Sequence, residues 1–272
     1  MPTIKTEPGK LWQLRDRRQQ LLSWLMMLGL AIVFVAAFKP IAAATEWAYL
    51  GTAAQKAGDL GDRMWPPDIS QFSKLLRPLW DTINIATLGT VLAIALAFPL
   101  CWFAAKNTSP HPAVRVVALA IIATSRSISS FIWALLFVMI IGPGILAGIL
   151  AIAVRSVGFI AKLSYEAIEE IDPEPVEAIT ATGASRAQVN AFAILPQVRP
   201  AFFGIAIFRW DINIRESTVI GYVGGGGLGL LLNSAINALQ WREASFILLL
   251  IFGLVIVSEA GSAKLRQALA ER

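Results

Sequence analysis

The sequence predicts an all-α integral membrane protein of about six transmembrane helices with a cytoplasmic helix–glycine–helix loop, and three observations carry that expectation. Of 272 residues, 56% are hydrophobic and only 15% are charged, against about 25% charged in soluble domains. Mean hydropathy is +0.64. Apolar windows of about 20 residues, enough to cross a hydrocarbon core of roughly 30 Å, recur along the chain. Helices are the spanning element because each satisfies its own backbone hydrogen bonds in lipid. Finally, one stretch, 164–199, interrupts the apolar runs with a helix-forming, polar composition.

The elements follow in chain order. Basic residues between Lys10 and Arg18 mark 1–20 as a cytoplasmic N-terminal segment. The apolar run 21–44 exceeds the roughly 7–15-residue core of a cleaved signal peptide, and reads as a first span. Residues 45–79 are polar and turn-rich, with Pro66, Pro67 and Pro78, and read as an external loop. Its end, DISQFSKLLRPLW, is expected to form a short interfacial helix, with Trp65 and Trp80 at headgroup level. The remaining 80–272 form the core. Spans are expected at 80–105, 116–141, 145–163, 200–223 and 244–262. Lys106 and Arg115 place the loop after the second span inside, and a Gly142–Gly144 turn separates the third span from the fourth. Lys264, Arg266 and Arg272 then leave both chain ends in the cytoplasm.

Residues 164–199 are predicted to fold as two short helices. Asp172 suits an N-cap, with Pro173 and Pro175 in the first turn and Glu174 and Glu177 at the positive end of the dipole. Gly183 stands where a left-handed residue closes a helix. Ser185-Arg-Ala-Gln188 is a capping box opening a second helix, which Pro196 is expected to end. Val176, Ile179, Ala187, Phe192 and Leu195 give the pair an apolar surface, suited to a groove on a partner or to the chain's own membrane helices.

Charges inside spans cost roughly 2.5–3.5 kcal/mol each at the centre. Arg209, Asp211, Arg215 and Glu216 all fall in the fifth expected span. Asp211 and Arg215 are spaced i,i+4, and Arg209 and Glu216 share a face two turns apart, so mutual neutralisation is one reading. Arg126, among hydroxyls in TSRSISS, has no acid near it in sequence, and Arg155 beside Ser156 is likewise locally unpaired. A guanidinium fork suits phosphate-like oxygens, so Arg126, Arg209 and Arg215 are candidates to line a path for an oxyanion.

Several classes are excluded or set aside. The charge of +5 is scattered around the spans and forms no nucleic-acid patch. One cysteine, Cys101, and one histidine, His111, build neither a disulfide framework nor a metal site. Gly224, Gly226 and Gly229 satisfy GxGxxG as a string, but a dinucleotide site needs a preceding strand. A tight bend or close helix contact is the better reading of the cluster Gly224, Gly225, Gly226, Gly227 and Gly229. No GxxxxGK[ST] loop is present, so this chain lacks the usual phosphate cradle for ATP. Glu169 and Glu170 are expected on a solvated or partner-facing surface, and no catalytic residue is expected.

EAITATGASRAQVNAFAILP, at 177–196, resembles the EAA motif of ABC-importer permeases. Glu177, Ala178, Gly183, Leu195 and Pro196 stand at the motif's positions, while Ile179 and Ala193 depart from its usual residues. The resemblance extends from Ser125 to Arg266 through ALLFVMIIGPG, ILPQVRPAF and FRWDINIREST. RWDINIRESTVIGYVGGGGLG is similar to phosphonate- and phosphite-type permeases, and its glycine cluster is shared with methionine-type ones. The resemblance implies a transport subunit without cofactor, working as two identical copies in the bacterial inner membrane. An ATPase dimer that binds ATP and Mg, and an external binding protein for phosphonate, phosphite or a related oxyanion, are the other implied partners. A methionine-type permease is the alternative, and an ATP-independent channel or secondary transporter is a rival of another class.

Overall fold

A computed structural model describes residues 17–270, and the described chain divides after Asp59 into two units. The basic stretch before Arg17 and the final Arg272 lie outside the described residues.

The first unit holds helix α1 (Arg17–Ala44) and the start of α2 (Ala48–Met64). α1 runs through Pro40 and exposes apolar side chains all round, among them Trp24, Phe34 and Ile41. A helix apolar on every side is suited to lipid. α2 occupies ground expected to be irregular. TAAQKAGDLGDR lacks proline and is rich in helix formers, so local propensity outweighs its polarity.

The second unit is built on α3 (Phe72–Ala104) and α6 (Ile145–Glu169), with α4 (Pro112–Ser127) and α5 (Ser130–Ile141) between them in sequence. The expected interfacial helix is not separate. It forms the first turns of α3, which continues through Pro78, because a proline inside a long apolar helix bends it without ending it. α3 buries small residues along one stripe, Ala86, Gly89, Ala93 and Ala97, and this lets α6 approach closely. A Cβ on Gly89 would stand 2.6 Å from Ile152 Cγ2.

The third expected span is broken. α4 and α5 meet at 89°, so five helices are long and apolar enough to cross a bilayer and a sixth crossing requires counting the bent pair as one. Ile128 turns extended and Ser129 caps α5, its hydroxyl accepting from the Ile132 N–H. The hydroxyl-rich SRSISS stretch thus offers the backbone local alternatives to the helix.

α7 (Pro173–Ala181) and α8 (Arg186–Val189) follow, and α8 runs on through a widened π-helical turn, Asn190–Ile194, into α9 (Leu195–Ile220). Pro196 therefore does not end the second helix. It sits in the first turn of α9, where its missing N–H is harmless, and the widened turn before it relieves the clash of its ring with the preceding carbonyls. A bend at Gly221–Gly226 leads to α10 (Gly227–Asn237), and α11 (Trp241–Ala270) completes the described chain.

Candidate functional site

Two constructions stand out: the exposed segment around Gly183, and a polar seam where α9 meets α3, α6 and α11. In the first, the Asp172 carboxylate accepts from the Glu174 N–H at 3.0 Å and caps α7. Gly183 takes φ +79°, the left-handed closure, with open space where a Cβ would point. Ser185 and Gln188 then form the capping box, the Ser185 N–H donating to Gln188 Oε1 at 2.8 Å. Glu177, Ala178, Gly183, Leu195 and Pro196 are all exposed. Phe192 is 69% exposed, an aromatic ring with no covering surface among the described residues.

Residues outside the motif hold this segment in place. The Gln197 side chain accepts from the Asp172 N–H at 3.1 Å, and its amide donates to the carbonyls of Asp172 and Ala193. It ties the start of α7 to the base of α9. Glu169, expected on an open surface, is instead a latch. Its carboxylate accepts from the Lys106 N–H at 2.8 Å and lies 3.5 Å from Arg115 and 3.6 Å from Lys106. The α3–α4 loop supplies these donors only in three dimensions, about sixty residues away in sequence, so local patterning gives no sign of them.

In the seam, Asn213 is fully buried and its amide donates to Thr90 Oγ1 at 2.8 Å and Ser156 Oγ at 3.1 Å, joining three helices. Arg209, also buried, donates from Nε to Ser156 Oγ at 2.9 Å and pairs with Glu216 at 3.1 Å. Its guanidinium lies 5.1 Å from the Phe159 ring centre. Arg215 pairs with Asp211 at 3.0 Å, and Asp211 also accepts from Ser258 on α11. Both arginines thus hold an acid of their own helix, the outcome that the i,i+4 and i,i+7 spacings allow. The polar spacing Arg209, Asn213, Glu216 marks one face of α9 in sequence, but the partners Thr90 and Ser156 become visible only with the fold. Arg126 is exposed and makes no ion pair or hydrogen bond among the described residues.

The glycine cluster is a close-packed bend. The Gly144 N–H donates to the Gly224 carbonyl at 2.9 Å, and a Cβ on Gly148 would stand 2.7 Å from the Gly225 carbonyl oxygen. Gly227, at φ +71°, lets the Leu228 N–H reach Thr82 Oγ1 at 2.9 Å. Among the described residues there is no strand, so the dinucleotide reading of the string has no scaffold.

A cavity of about 280 Å³ lies between α3, α6 and α9, lined by Phe98, Cys101, Trp102, Val198 and Phe202, with Arg199 as its one charged lining residue. Its wall is apolar apart from Arg199 and includes none of the seam residues, so it is not part of the polar seam.

Comparison with known proteins agrees with this architecture. Residues 89–260 match the family model described as binding-protein-dependent transport system inner membrane component. The chain is 41% identical over 208 residues to a phosphite transport system permease protein of Stutzerimonas stutzeri, covering 76% of each chain. It is 37% identical over 207 residues to a phosphate-import permease protein of Mycolicibacterium smegmatis, covering 76% of this chain and 39% of that one. Among solved structures, the inward-facing MetNI methionine ABC transporter shares the fold at TM-score 0.65 and 21% identity, covering 74% of this chain and 99% of the other.

Proposed function

The chain belongs to the binding-protein-dependent transport system inner membrane component family, and from that membership we propose that it is the membrane-spanning subunit of an ATP-driven importer for phosphite- or phosphonate-type oxyanions. The permease of the Stutzerimonas phosphite system, at 41% identity over most of both chains, supports that ligand class over the methionine class. The helix–glycine–helix segment seats in a separate ATPase dimer, which binds ATP and Mg. Two copies of this chain line one path in the bacterial inner membrane, and an external binding protein delivers the ligand. Arg126 contributes one cation to the path and Arg209 another that Glu216 partly offsets, while Arg215 serves chiefly to hold Asp211.

The observation that carries the reading is the helical run from Arg186 to Ile220, unbroken through the π-helical turn at Asn190–Ile194. It joins the exposed segment, through the buried polar seam, to the glycine bend. At about 1.5 Å per residue such a run is longer than the membrane is thick. ATP binding draws the two coupling segments together, α9 transmits that displacement along its length, and the path turns outward to accept ligand. Hydrolysis resets it. This chain gates and transmits, and contributes no bond-making step.

The test is uptake of radiolabelled phosphite and of an alkylphosphonate into cells lacking this chain and then regaining it, together with its companion subunits. Restored, energy-dependent uptake competed by phosphorus oxyanions is the expected result. Competition by methionine alone, or uptake that persists after ATP depletion, overturns it. In the same assay Gly183→Asp is expected to abolish uptake with insertion intact, and normal uptake by that variant removes the coupling role of the segment.

A further inference from the structure

We infer that Arg155, on α6, is the residue on which the translocated oxyanion docks part-way across the membrane, within a cationic belt completed by Arg126 and Arg209. The inference rests on the oxyanion-importer reading above and names the point of contact that reading leaves open.

Three interhelical hydrogen bonds bring the arginines to one level. Ser125, the neighbour of Arg126 near the end of α4, donates from Oγ to the Val154 carbonyl at 2.5 Å and accepts from the Gly158 N–H at 3.0 Å. α4 is thereby pinned to α6 on both sides of Arg155. On the other flank, Ser156 accepts from Arg209 Nε at 2.9 Å, which fixes α9 to α6 one residue further along. Arg155 lies near the middle of α6 and Arg209 near the middle of α9, so the belt stands deep within the spans.

The belt carries more cations than acids. Glu216 is committed to Arg209, and Asp211 to Arg215 and Ser258. The half-buried Arg155 side chain makes no hydrogen bond, ion pair or aromatic contact among the described residues, and its Nη1 is buried without a partner. Arg266 also buries an unpartnered Nη1, but its guanidinium sits 5.7 Å from the Phe208 ring centre. Arg155 has no such substitute, and Arg209 is held to the neighbouring residue Ser156.

A guanidinium deep in a span that buries one nitrogen without a partner lacks a negative group carrying oxygen acceptors. A tetrahedral phosphorus oxyanion supplies both. Two of its oxygens match the parallel N–H groups of the fork, and its charge answers that of the guanidinium. Glu216 keeps the belt from becoming a trap, because it offsets Arg209 and leaves attraction sufficient for entry but not for retention. Transit sites require that balance. The apolar cavity beside Phe98 and Phe202 has no comparable donor set.

The experiment measures phosphite uptake by cells carrying the full transporter with this chain unmodified or bearing Arg155→Gln, Arg155→Lys, or Arg155→Cys in a Cys101→Ala background. Cys101 is this chain's sole cysteine, so the engineered thiol is the chain's one target, and the Cys101→Ala transporter treated in parallel reports any reaction of the companion subunits. Arg155→Gln is expected to lower the maximal rate about ten-fold or more at unchanged chain abundance, the loss expected for a hydrogen bond to a charged group. Arg155→Lys retains part of the rate. Treating Arg155→Cys with 2-aminoethyl methanethiosulfonate, which attaches an ammonium group, is expected to restore uptake, whereas the anionic 2-sulfonatoethyl reagent does not. An unchanged rate for Arg155→Gln overturns the inference, as does a fall matched by loss of the chain from the membrane, or equal response to both reagents. In each of those cases uptake by the unmodified chain leaves the importer reading standing. Failure of the unmodified chain to take up any phosphorus oxyanion overturns that reading, and this inference with it.

Discussion

Asn213 shows what a single buried amide does in this protein. It satisfies hydroxyls on α3 and α6 at once and has no exposed surface. Asn213→Leu leaves Thr90 and Ser156 short of a partner, at an expected cost of about 1–3 kcal/mol. A lowered unfolding midpoint of the detergent-solubilised chain checks it. The Arg209–Glu216 pair is a sharper case, because Arg209 is 3% exposed and Glu216 25%. Glu216→Gln alone strands a buried cation, and removal of one member of such a pair costs about 3–5 kcal/mol. The double variant Arg209→Met/Glu216→Gln is expected to be more stable than Glu216→Gln, which a thermal-shift comparison reads directly. The Lys162–Glu166 pair on α6 is about a third exposed, and its removal is expected to cost about 0–1 kcal/mol. Gly229→Ala brings a Cβ against the Thr218 carbonyl and the Tyr222 backbone, and neither can rotate away. A loss of about 1–3 kcal/mol or more follows from such overpacking, measurable as reduced yield of folded chain.

At the scale of elements, the proposed coupling makes the junction between α7, α8 and α9 the place where motion of the exposed segment would pass to the membrane helices. Gln197 is the tie, and Gln197→Leu removes its bonds to Asp172 and Ala193 while keeping the side chain's size. Uptake is expected to fall several-fold with insertion unchanged, and an unaltered rate would show that the tie is dispensable. A second element-level prediction concerns the turn before α3. Hydrogen bonds from the Ser70 hydroxyl and N–H to the Asp68 carboxylate hold its pKa below the ordinary 3.8. A depressed folded-state pKa means that the contribution to stability is complete above 3.8 and is lost as pH falls through the lowered value. Protection of the Ser70 amide from hydrogen exchange, corrected for the intrinsic rate, is therefore expected to stay constant over about pH 5–8 and to fall in stronger acid.

For the whole molecule, the large apolar exposure along α1, α4 and α5 has two possible coverings, lipid and a second permease chain. Co-expression of two differently tagged copies of this chain, followed by purification through one tag, is expected to recover both. Recovery of only one tag with an active transporter would make the partner a different permease. The span count belongs to this scale too. Five long helices were legible from apolar length alone, because a hydrocarbon slab sets a length that composition must meet. The 89° break between α4 and α5 was not, since Ile128 and Ser129 leave the helix in a stretch whose hydropathy stays high on both sides.

What the sequence determined alone were the membrane class, the all-helical fold, and the two helices about Gly183 with their caps. Those features depend on apolar length, residues three or four apart, and local turn chemistry, all of which are written along one strand of text. The family resemblance of 177–196 and of the glycine-rich stretch was legible for the same reason. Tertiary structure alone decided that α9 continues past Pro196, that Glu169 latches α6 to the α3–α4 loop and Gln197 ties α7 to α9, and that Arg209 and Arg215 are paired while the Arg155 side chain has no partner among the described residues. Each of those outcomes depends on groups that are distant in sequence or on a backbone adjustment such as the π-helical turn. A residue's charge is known from its letter, but whether that charge is answered is settled only by what the fold brings within about 4 Å of it.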